Sequence, residues 1–228
     1  MDIYWYGVCI AFGLCLALVF AFRRCTEFGI DADSMVDVIL IGVVLGIASA
    51  RLYYVAMAPY NYDTIWDVLA VRDGGLAIYG AILSSLVVLL LFCHVKKISF
   101  LAFADLGVHG LFIGQLIGRW GNFMNVEAYG GPTTLPWRMC GESIAQNMLE
   151  QGYVDQAGYE AILSGTLGVH PTFFYESAWN FVGLILVYFL GKKWRRYDGE
   201  CFLFYLAWYG LGRAWIEGLR TDSLYLFV

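Results

Sequence analysis

Long apolar runs alternate with short polar segments along the chain. Each run has about the 20 residues that an α-helix needs to cross the hydrocarbon core of a bilayer. The runs predict transmembrane spans near residues 4–22, 35–58, 75–94, 99–118, 172–190 and 201–220. The fold class predicted is therefore an all-α polytopic membrane protein. The first run lacks a preceding basic segment and a cleavage site of small residues, so we expect it to be retained as a span.

Basic residues next to the spans predict how the chain crosses the membrane. Eight of them lie in short flanking segments: Arg23, Arg24, Lys96, Lys97, Lys192, Lys193, Arg195 and Arg196. Cytoplasmic loops are enriched in Lys and Arg, so these segments are predicted to lie in the cytoplasm and the N-terminus outside. Residues 119–171 then face outward. Within them, residues 131–170 are predicted to form a small extracytoplasmic head inserted in a single transmembrane domain, 1–228.

Composition supports a membrane protein and narrows the chemistry. Hydrophobic residues make up 60% of the 228 residues and charged residues 14%, whereas soluble domains have roughly 25% charged residues. The six cysteines and three histidines show no spacing typical of a disulfide framework or a metal site. We expect no metal, no cofactor and no nucleic-acid partner.

Polar residues concentrate where the fourth apolar run ends. Residues 118–130 read Gly-Arg-Trp-Gly-Asn-Phe-Met-Asn-Val-Glu-Ala-Tyr-Gly, which places Arg119, Asn122, Asn125 and Glu127 within nine residues. Ionisable groups at this depth are costly and usually functional. The alternative is a helix end whose polar groups only cap the helix.

A second polar cluster lies in the last apolar run. Tyr209, Arg213, Glu217 and Arg220 are spaced so that a helix places them on one stripe. A guanidinium group keeps its charge when partly buried and donates two parallel hydrogen bonds, which suits a phosphodiester. An anionic lipid head group is therefore suggested as ligand by the arginines of the spans and outward segments, Arg51, Arg72, Arg119, Arg138, Arg213 and Arg220. The alternative for this helix is an Arg213–Glu217 pair that neutralises itself.

Two more segments begin spans from the outside. Gly74-Gly75-Leu76-Ala77-Ile78-Tyr79-Gly80-Ala81 opens the third span. Its small residues suit close helix packing, and the functional alternative is that Tyr79 presents a polar group near the site. His170-Pro171-Thr172-Phe173-Phe174-Tyr175-Glu176 opens the fifth span, with proline early in the helix, where its missing N–H costs little.

These segments resemble the prolipoprotein diacylglyceryl transferase family. Residues 118–130 match every fixed position of the family signature, G-R-x-G-N-F-x-N-x-E-x-x-G. The other segments that match family motifs occur in the family's order: Tyr4-Trp5-Tyr6-Gly7, Ala50-Arg51-Leu52-Tyr53-Tyr54, Gly74 to Gly80, His170-Pro171 with Tyr175-Glu176, and Tyr209-Gly210 with Arg213, Glu217 and Arg220-x-Asp222. The resemblance runs from residue 4 to about residue 226.

Two features differ from the family pattern. The histidine of the third-span motif is replaced by Tyr79, and a phenol is a poorer general base than an imidazole at neutral pH. Family members usually continue into a seventh span, whereas this chain ends at Leu226-Phe227-Val228. The resemblance therefore implies six to seven transmembrane helices.

The resemblance also implies a transferase of the bacterial plasma membrane with its active site on the extracytoplasmic side. The expected partners are phosphatidylglycerol, the lipobox cysteine of a prolipoprotein signal peptide, and membrane lipids. The thiol would attack the glyceryl carbon that bears the phosphate. The residues expected to be catalytic are Arg119 and Arg213, which hold the phosphodiester, and Glu127 and Glu217, which hold the arginines or accept the thiol proton. The residues expected to bind substrate are Tyr6, Arg51, Tyr79, Asn122, Asn125, Gly130, Tyr209 and Arg220.

Two other function classes fit parts of the pattern. A transporter or channel also places Arg and Glu inside spans, although residues 118–130 lie near the outer face and the chain shows no inverted repeat. A non-catalytic homologue would explain the tyrosine at position 79. A mass shift on a lipobox peptide incubated with phosphatidylglycerol distinguishes the transferase from both.

Overall fold

A computed structural model describes residues 5–58, 64–71 and 74–220, and most of these residues are helical. Its helices and strands are α1 (Trp5–Arg24), α2 (Ala32–Met57), α3 (Ile65–Leu69), α4 (Ile78–Lys96), α5 (Phe100–Met124), β1 (Pro132–Thr133), α6 (Glu142–Glu150), α7 (Gln156–Leu163), β2 (Gly168–Val169), α8 (Thr172–Phe189) and α9 (Glu200–Glu217). A 3₁₀ turn, Cys25–Phe28, follows α1, and a π-helical turn, Leu190–Trp194, follows α8. Tyr4, Arg72, Asp222 and residues 226–228 lie outside the described residues.

Five helices among the described residues are long and apolar enough to cross a membrane, Trp5–Phe28, Ala32–Met57, Ile78–Lys96, Phe100–Met124 and Thr172–Trp194. They correspond to the first five predicted spans. The sixth predicted span forms α9, which is less apolar because its 18 residues include Glu200, Arg213 and Glu217. Large apolar side chains on the helices are exposed, such as Leu40 and Val44 of α2 at 62% and 66%. A bilayer accepts such a surface.

The fourth span is longer than the hydropathy pattern predicts. The apolar run ends near residue 118, but α5 continues to Met124. Arg119 and Asn122 therefore lie on the last turns of a helix and not in an outward loop. Arg119 need not leave the helix to reach water, because it pairs with Glu176 elsewhere in the fold and donates to Asn122 one turn on in the same helix.

The chain divides into two compact units, residues 22–106 and residues 1–21 with 107–228. In the smaller unit, α2 packs along α4. Gly80 of α4 lies against the backbone of α2, where a Cβ would come within 2.9 Å of the carbonyl carbon of Ser49. The glycine therefore permits the close helix packing that its motif suggested.

In the larger unit, α1 packs on α5 through glycines. Gly110, Gly114 and Gly118 of α5 recur at every fourth position, a spacing that lets helix backbones approach closely in membranes. A Cβ on Gly13 of α1 would lie 3.6 Å from the Cα atom of Gly114. A methyl group on Gly13, Gly110 or Gly118 would meet its nearest neighbour at 3.5–3.6 Å, an ordinary van der Waals contact.

Two tryptophans join α8 and α9 by exchanging hydrogen bonds. Nε1–H of Trp179 donates to the carbonyl oxygen of Trp208 at 2.9 Å, and Nε1–H of Trp208 donates to the carbonyl oxygen of Trp179 at 3.0 Å. The two indoles stack with ring centroids 4.4 Å apart. Each indole covers a glycine of the opposite helix, Gly212 under Trp179 and Gly183 under Trp208. The Trp-x-x-x-Gly sequence in each helix thus sets how α8 and α9 align.

Residues 131–170 form a small folded segment between α5 and α8. Its ends meet in an antiparallel pairing of Pro132–Thr133 with Gly168–Val169, which the all-α prediction did not include. The pairing forms because α6 and α7 fold into a hairpin and return the chain to its starting point. The segment has a buried apolar core formed by Tyr129, Ile144, Ala145, Met148, Ile162 and Val169. It corresponds to the predicted head, and its side of the membrane stays a prediction.

We expect Gly212→Ala to destabilise the protein, because the added methyl group would overlap the indole of Trp179. Overpacking of this kind costs about 1–3 kcal/mol. The matched control is Gly210→Ala in the same helix, where a Cβ meets nothing within 4 Å and helix propensity improves by about 1 kcal/mol. In detergent, the thermal midpoint should fall for the first variant and hold or rise for the second. Equal midpoints would contradict this packing.

Candidate functional site

The carboxylate of Glu176 is the point at which three arginines meet. It lies on the second turn of α8, and its side chain is only 6% exposed. Its Oε2 lies 2.6 Å from Nη2 of Arg119 on α5. Its Oε1 lies 3.4 Å from Nη1 of Arg213 on α9 and 3.6 Å from Nη1 of Arg220, which follows α9. One buried ion cluster therefore joins three separate parts of the chain.

A second carboxylate extends the cluster along α9. Oε2 of Glu217 lies 2.6 Å from Nη2 of Arg213, one helical turn away. From the sequence, Arg213 and Glu217 could simply have neutralised each other. Because Arg213 also contacts Glu176, their ion pair is not isolated. Three guanidinium groups and two carboxylates therefore meet here, and Arg213 contacts both carboxylates.

The loop after α5 turns Glu127 back towards the end of the helix. Val126 and Ala128 on either side of it have φ angles of 54° and 56°, a left-handed conformation that is uncommon outside glycine and strained for a β-branched residue. Oε1 of Glu127 accepts hydrogen bonds from the side-chain amides of Asn122 and Asn125 at 3.0 and 3.3 Å. The strained loop therefore gathers the carboxylate and both amides of the signature into one group.

Asn122 connects this group to the arginine cluster. Nη1 of Arg119 donates to Oδ1 of Asn122 at 3.4 Å, while Nη2 of Arg119 pairs with Glu176. Tyr6 of α1 packs on the same end of α5, since a Cβ on Gly121 would lie 2.6 Å from Cδ2 of Tyr6. The polar residues of the signature therefore do more than cap a helix, because Arg119 also pairs with Glu176 of another helix.

Gly130 allows two backbone segments to meet beside the cluster. Its N–H donates to the carbonyl oxygen of His170 at 2.9 Å, and the N–H of Gly131 donates to the carbonyl oxygen of Leu219 at 2.9 Å. A Cβ on Gly130 would lie 2.5 Å from the carbonyl oxygen of Leu219 and 2.7 Å from Cβ of His170. A residue other than glycine would separate these backbone segments. The β-bridge between Gly130 and Arg220 holds Arg220 in place.

An open groove of about 470 Å³ lies along α9 next to the cluster, lined by Tyr209, Gly210, Arg213, Ala214 and Glu217. Arg213 therefore borders both the ion cluster and a space that a ligand can enter. Throughout residues 5–58, 64–71 and 74–220, no group of three or more His, Cys, Asp or Glu residues could hold a metal ion.

Arg51 and Tyr79 belong to the smaller unit. Arg51 is buried, and its guanidinium group donates at 2.6–3.1 Å to four backbone carbonyl oxygens, those of Asp67, Val68, Gly74 and Gly75. Gly74 and Gly75 have φ angles of 86° and 70°, which glycine adopts readily. Tyr79 is 66% exposed, and its ring centroid lies 6.4 Å from that of Tyr53. In this unit Arg51 shapes the loop that leads to Tyr79.

The structure joins most of the predicted site residues in one network of hydrogen bonds and ion pairs, which contains Arg119, Asn122, Asn125, Glu127, Arg213, Glu217 and Arg220. Tyr6, Gly130 and Tyr209 border this network. Sequence reasoning missed Glu176, to which it gave no role. A signal was present, because Glu176 is an ionisable residue at the start of an apolar run.

The family of this chain follows from its match to a protein-family model. The family model described as prolipoprotein diacylglyceryl transferase matches residues 1–228. The chain belongs to the prolipoprotein diacylglyceryl transferase family. The resemblance inferred from residues 118–130 is thereby confirmed.

Relatives in the transferase family are similar over almost the whole chain. One from Lysinibacillus sphaericus, named phosphatidylglycerol–prolipoprotein diacylglyceryl transferase, is 42% identical over 227 residues, covering 99% of this chain and 80% of its own length. A relative of the same name from Oceanobacillus iheyensis is 40% identical, and the match covers 100% of this chain and 76% of the relative. Another from Bacillus cytotoxicus is 41% identical, and the match covers 99% of this chain and 79% of the relative. The similarity is therefore not confined to the signature.

We expect Glu176→Gln to destabilise this transferase-family member, because three guanidinium groups would lose the buried carboxylate that they share. Removing one partner of a buried ion pair costs about 3–5 kcal/mol. Chemical or thermal unfolding in detergent measures the loss. The control is Glu160→Gln on α7, which neutralises an exposed carboxylate. If the two variants lose the same stability, Glu176 does not stabilise the fold by pairing with the three arginines.

Gly130→Ala should open the backbone bridge, because a methyl group cannot fit between Leu219 and His170. The neighbouring Gly131→Ala is the control, since a Cβ there meets nothing within 4 Å. Hydrogen exchange followed by mass spectrometry should show faster exchange at residues 130–131 and 170 in the first variant only. Unchanged protection in Gly130→Ala would show that the bridge tolerates a side chain.

Proposed function

We propose that this chain transfers the diacylglyceryl group of phosphatidylglycerol to the thiol of a prolipoprotein cysteine, the first step of lipoprotein lipidation. The sulfur attacks the glyceryl carbon that bears the phosphate, a C–S bond forms, and the C–O bond to the phosphate breaks. The electron pair of that bond leaves on glycerol phosphate. The observation that carries the proposal is the convergence of three arginines on Glu176 beside an open groove that Arg213 borders, in a family named for this transfer.

Arg119 and Arg213 hold the phosphodiester in this proposal, with Arg220 as a third cation. Each is already oriented by the same buried carboxylate, so it need not reorganise when negative charge develops on the leaving oxygen. Preorganised donors of this type stabilise a transition state by roughly 3–4 kcal/mol each. The groove beside Arg213 provides the space for the lipid head group.

Two carboxylates are accessible to the incoming thiol. Glu127 is exposed at the loop after α5, and Glu217 borders the groove. Either one accepts the thiol proton, directly or through water, while also orienting its neighbours. A thiol whose ordinary pKa is about 8.5 also loses its proton more readily beside cations. Asn122 and Asn125 fix Glu127 and the head group, and Tyr6, Tyr209 and Gly130 shape the surroundings.

Arg51 and Tyr79 are proposed to act as a pair. The four carbonyl oxygens bound by Arg51 fix the loop of Gly74 and Gly75, and that loop leads into the first turn of α4, where Tyr79 is exposed. The phenol then contacts substrate as a hydrogen-bonding group and not as the general base.

The membrane arrangement completes the proposal. The chain forms one domain, 1–228, that crosses the bacterial plasma membrane with six to seven helices, of which α9 is the sixth. Its charged residues are tolerated there because Arg213 pairs with Glu176 and Glu217. The eight basic flanking residues favour a cytoplasmic location for their segments, which puts the head, 131–170, and the arginine cluster on the extracytoplasmic side.

Arg119→Lys and Arg213→Lys are each expected to slow the transfer about 10²-fold, because lysine keeps the charge but loses the planar fork. The measurement is the rate of mass shift of a lipobox peptide incubated with purified protein and phosphatidylglycerol.

The matched control is Arg196→Lys, an exposed arginine outside the site. It should keep the wild-type rate. Near-normal rates in both site variants would show that these arginines do not hold the phosphodiester. The absence of a mass shift with the wild-type chain would favour a transporter or a non-catalytic homologue.

A further inference from the structure

A second polar side chain is buried on α8, one turn after Glu176. Asn180 is 3% exposed. Its carbonyl oxygen Oδ1 has no hydrogen-bond partner among the described protein groups. An unpaired buried polar group costs about 1–3 kcal/mol, so a group of this kind in a native fold usually has a partner, and ordered water commonly serves.

A small cavity adjoins this side chain. Its volume is about 10 Å³, roughly the space that a single water molecule needs. Glu176, Arg213 and Tyr209 also line the cavity. A water molecule there would have the two to four polar partners that buried waters typically have.

We propose that one water molecule occupies this cavity and that, through it, Asn180 is a positioning residue for Arg213. The water donates one hydrogen bond to Oδ1 of Asn180 and one to the carboxylate of Glu176, and it accepts one from the guanidinium group of Arg213. The site therefore takes a neutral donor–acceptor molecule of the size of water. Its effect on catalysis rests on the proposed function.

The two ends of the Arg213 guanidinium group differ in how closely they are held. Nη2 lies 2.6 Å from Oε2 of Glu217, but Nη1 lies 3.4 Å from Oε1 of Glu176, whereas charge-assisted N–H···O bonds are typically about 2.7–2.9 Å. The Nη1 end can therefore take a further partner. Arg213 lines both the small cavity and the open groove. A water held by Asn180 would thus fix the guanidinium group from the cavity while the groove remains open to the lipid phosphate.

Two substitutions at position 180 distinguish a water-mediated role from simple packing. Asn180→Ala removes the amide but leaves room for a second water to replace it in part, so kcat should fall only about threefold. Asn180→Leu fills the space with apolar atoms and excludes water, so kcat should fall about tenfold through misplacement of Arg213. KM should change little in either variant. If packing alone mattered, the order would be reversed, because alanine leaves the larger void.

Ser177→Ala is the matched control on the same helix. Ser177 is buried and bonds to the carbonyl oxygen of Leu116 at 2.9 Å and to Nε1 of Trp120 at 3.1 Å, and it does not line the cavity. Its loss should lower stability without lowering kcat. The proposal is overturned if Asn180→Leu is as active as Asn180→Ala, or if Ser177→Ala lowers kcat as much as Asn180→Leu.

An experimental structure of the wild-type chain that resolves ordered waters tests the site without any activity measurement. It should show a water within hydrogen-bonding distance of Oδ1 of Asn180 and of Arg213 or Glu176. A direct protein partner for Oδ1 and no water in the cavity would reject the proposal even if the variants fold poorly. A wild-type chain with the water but without transfer activity would instead defeat the proposed function and leave the water site intact.

Discussion

The shared ion pairing of Glu176 is the constraint on which the candidate site depends. Moving charges out of water is costly, and a buried ion cluster often adds little net stability. What Glu176 supplies is geometry, because Arg119 on α5 and Arg213 and Arg220 near the end of α9 would otherwise repel one another. One carboxylate lets the three guanidinium groups converge. Because Arg213 also borders the open groove, the cluster presents a cation to a space that a ligand can enter.

Backbone contacts hold the elements that carry these arginines. The indoles of Trp179 and Trp208 lie over glycines of the opposite helix, which sets α8 against α9 and so places Glu176 near Arg213. Gly130 performs a similar role for the segment that contains Arg220. In each case a glycine permits a close approach that a Cβ would prevent. The position of the charges therefore follows from uncharged contacts.

Arg51 and the site arginines differ in burial and in their partners. Arg51 is buried, donates to four neutral carbonyl oxygens and fixes a loop. Arg119 and Arg213 are partly exposed and pair with carboxylates, and Arg213 also borders a groove. The same side chain thus acts as a structural clamp in one unit and as a candidate ligand-binding group in the other. Sequence context alone did not separate these roles, since both arginines lie in family motifs.

The sequence by itself determined the membrane class, the helix order and the residues of the signature, because a bilayer requires apolar runs of a fixed length and because residues 118–130 match a specific family pattern. It did not predict that α5 reaches Met124, that β1 pairs with β2, or that Glu176 binds three arginines. Only the tertiary structure decided those features. Arg119 at the polar end of α5 pairs with Glu176, and Glu176 lies at least 37 residues from the arginines that surround it. Ion-pair partners are selected by proximity in three dimensions, which hydropathy and motif spacing do not specify.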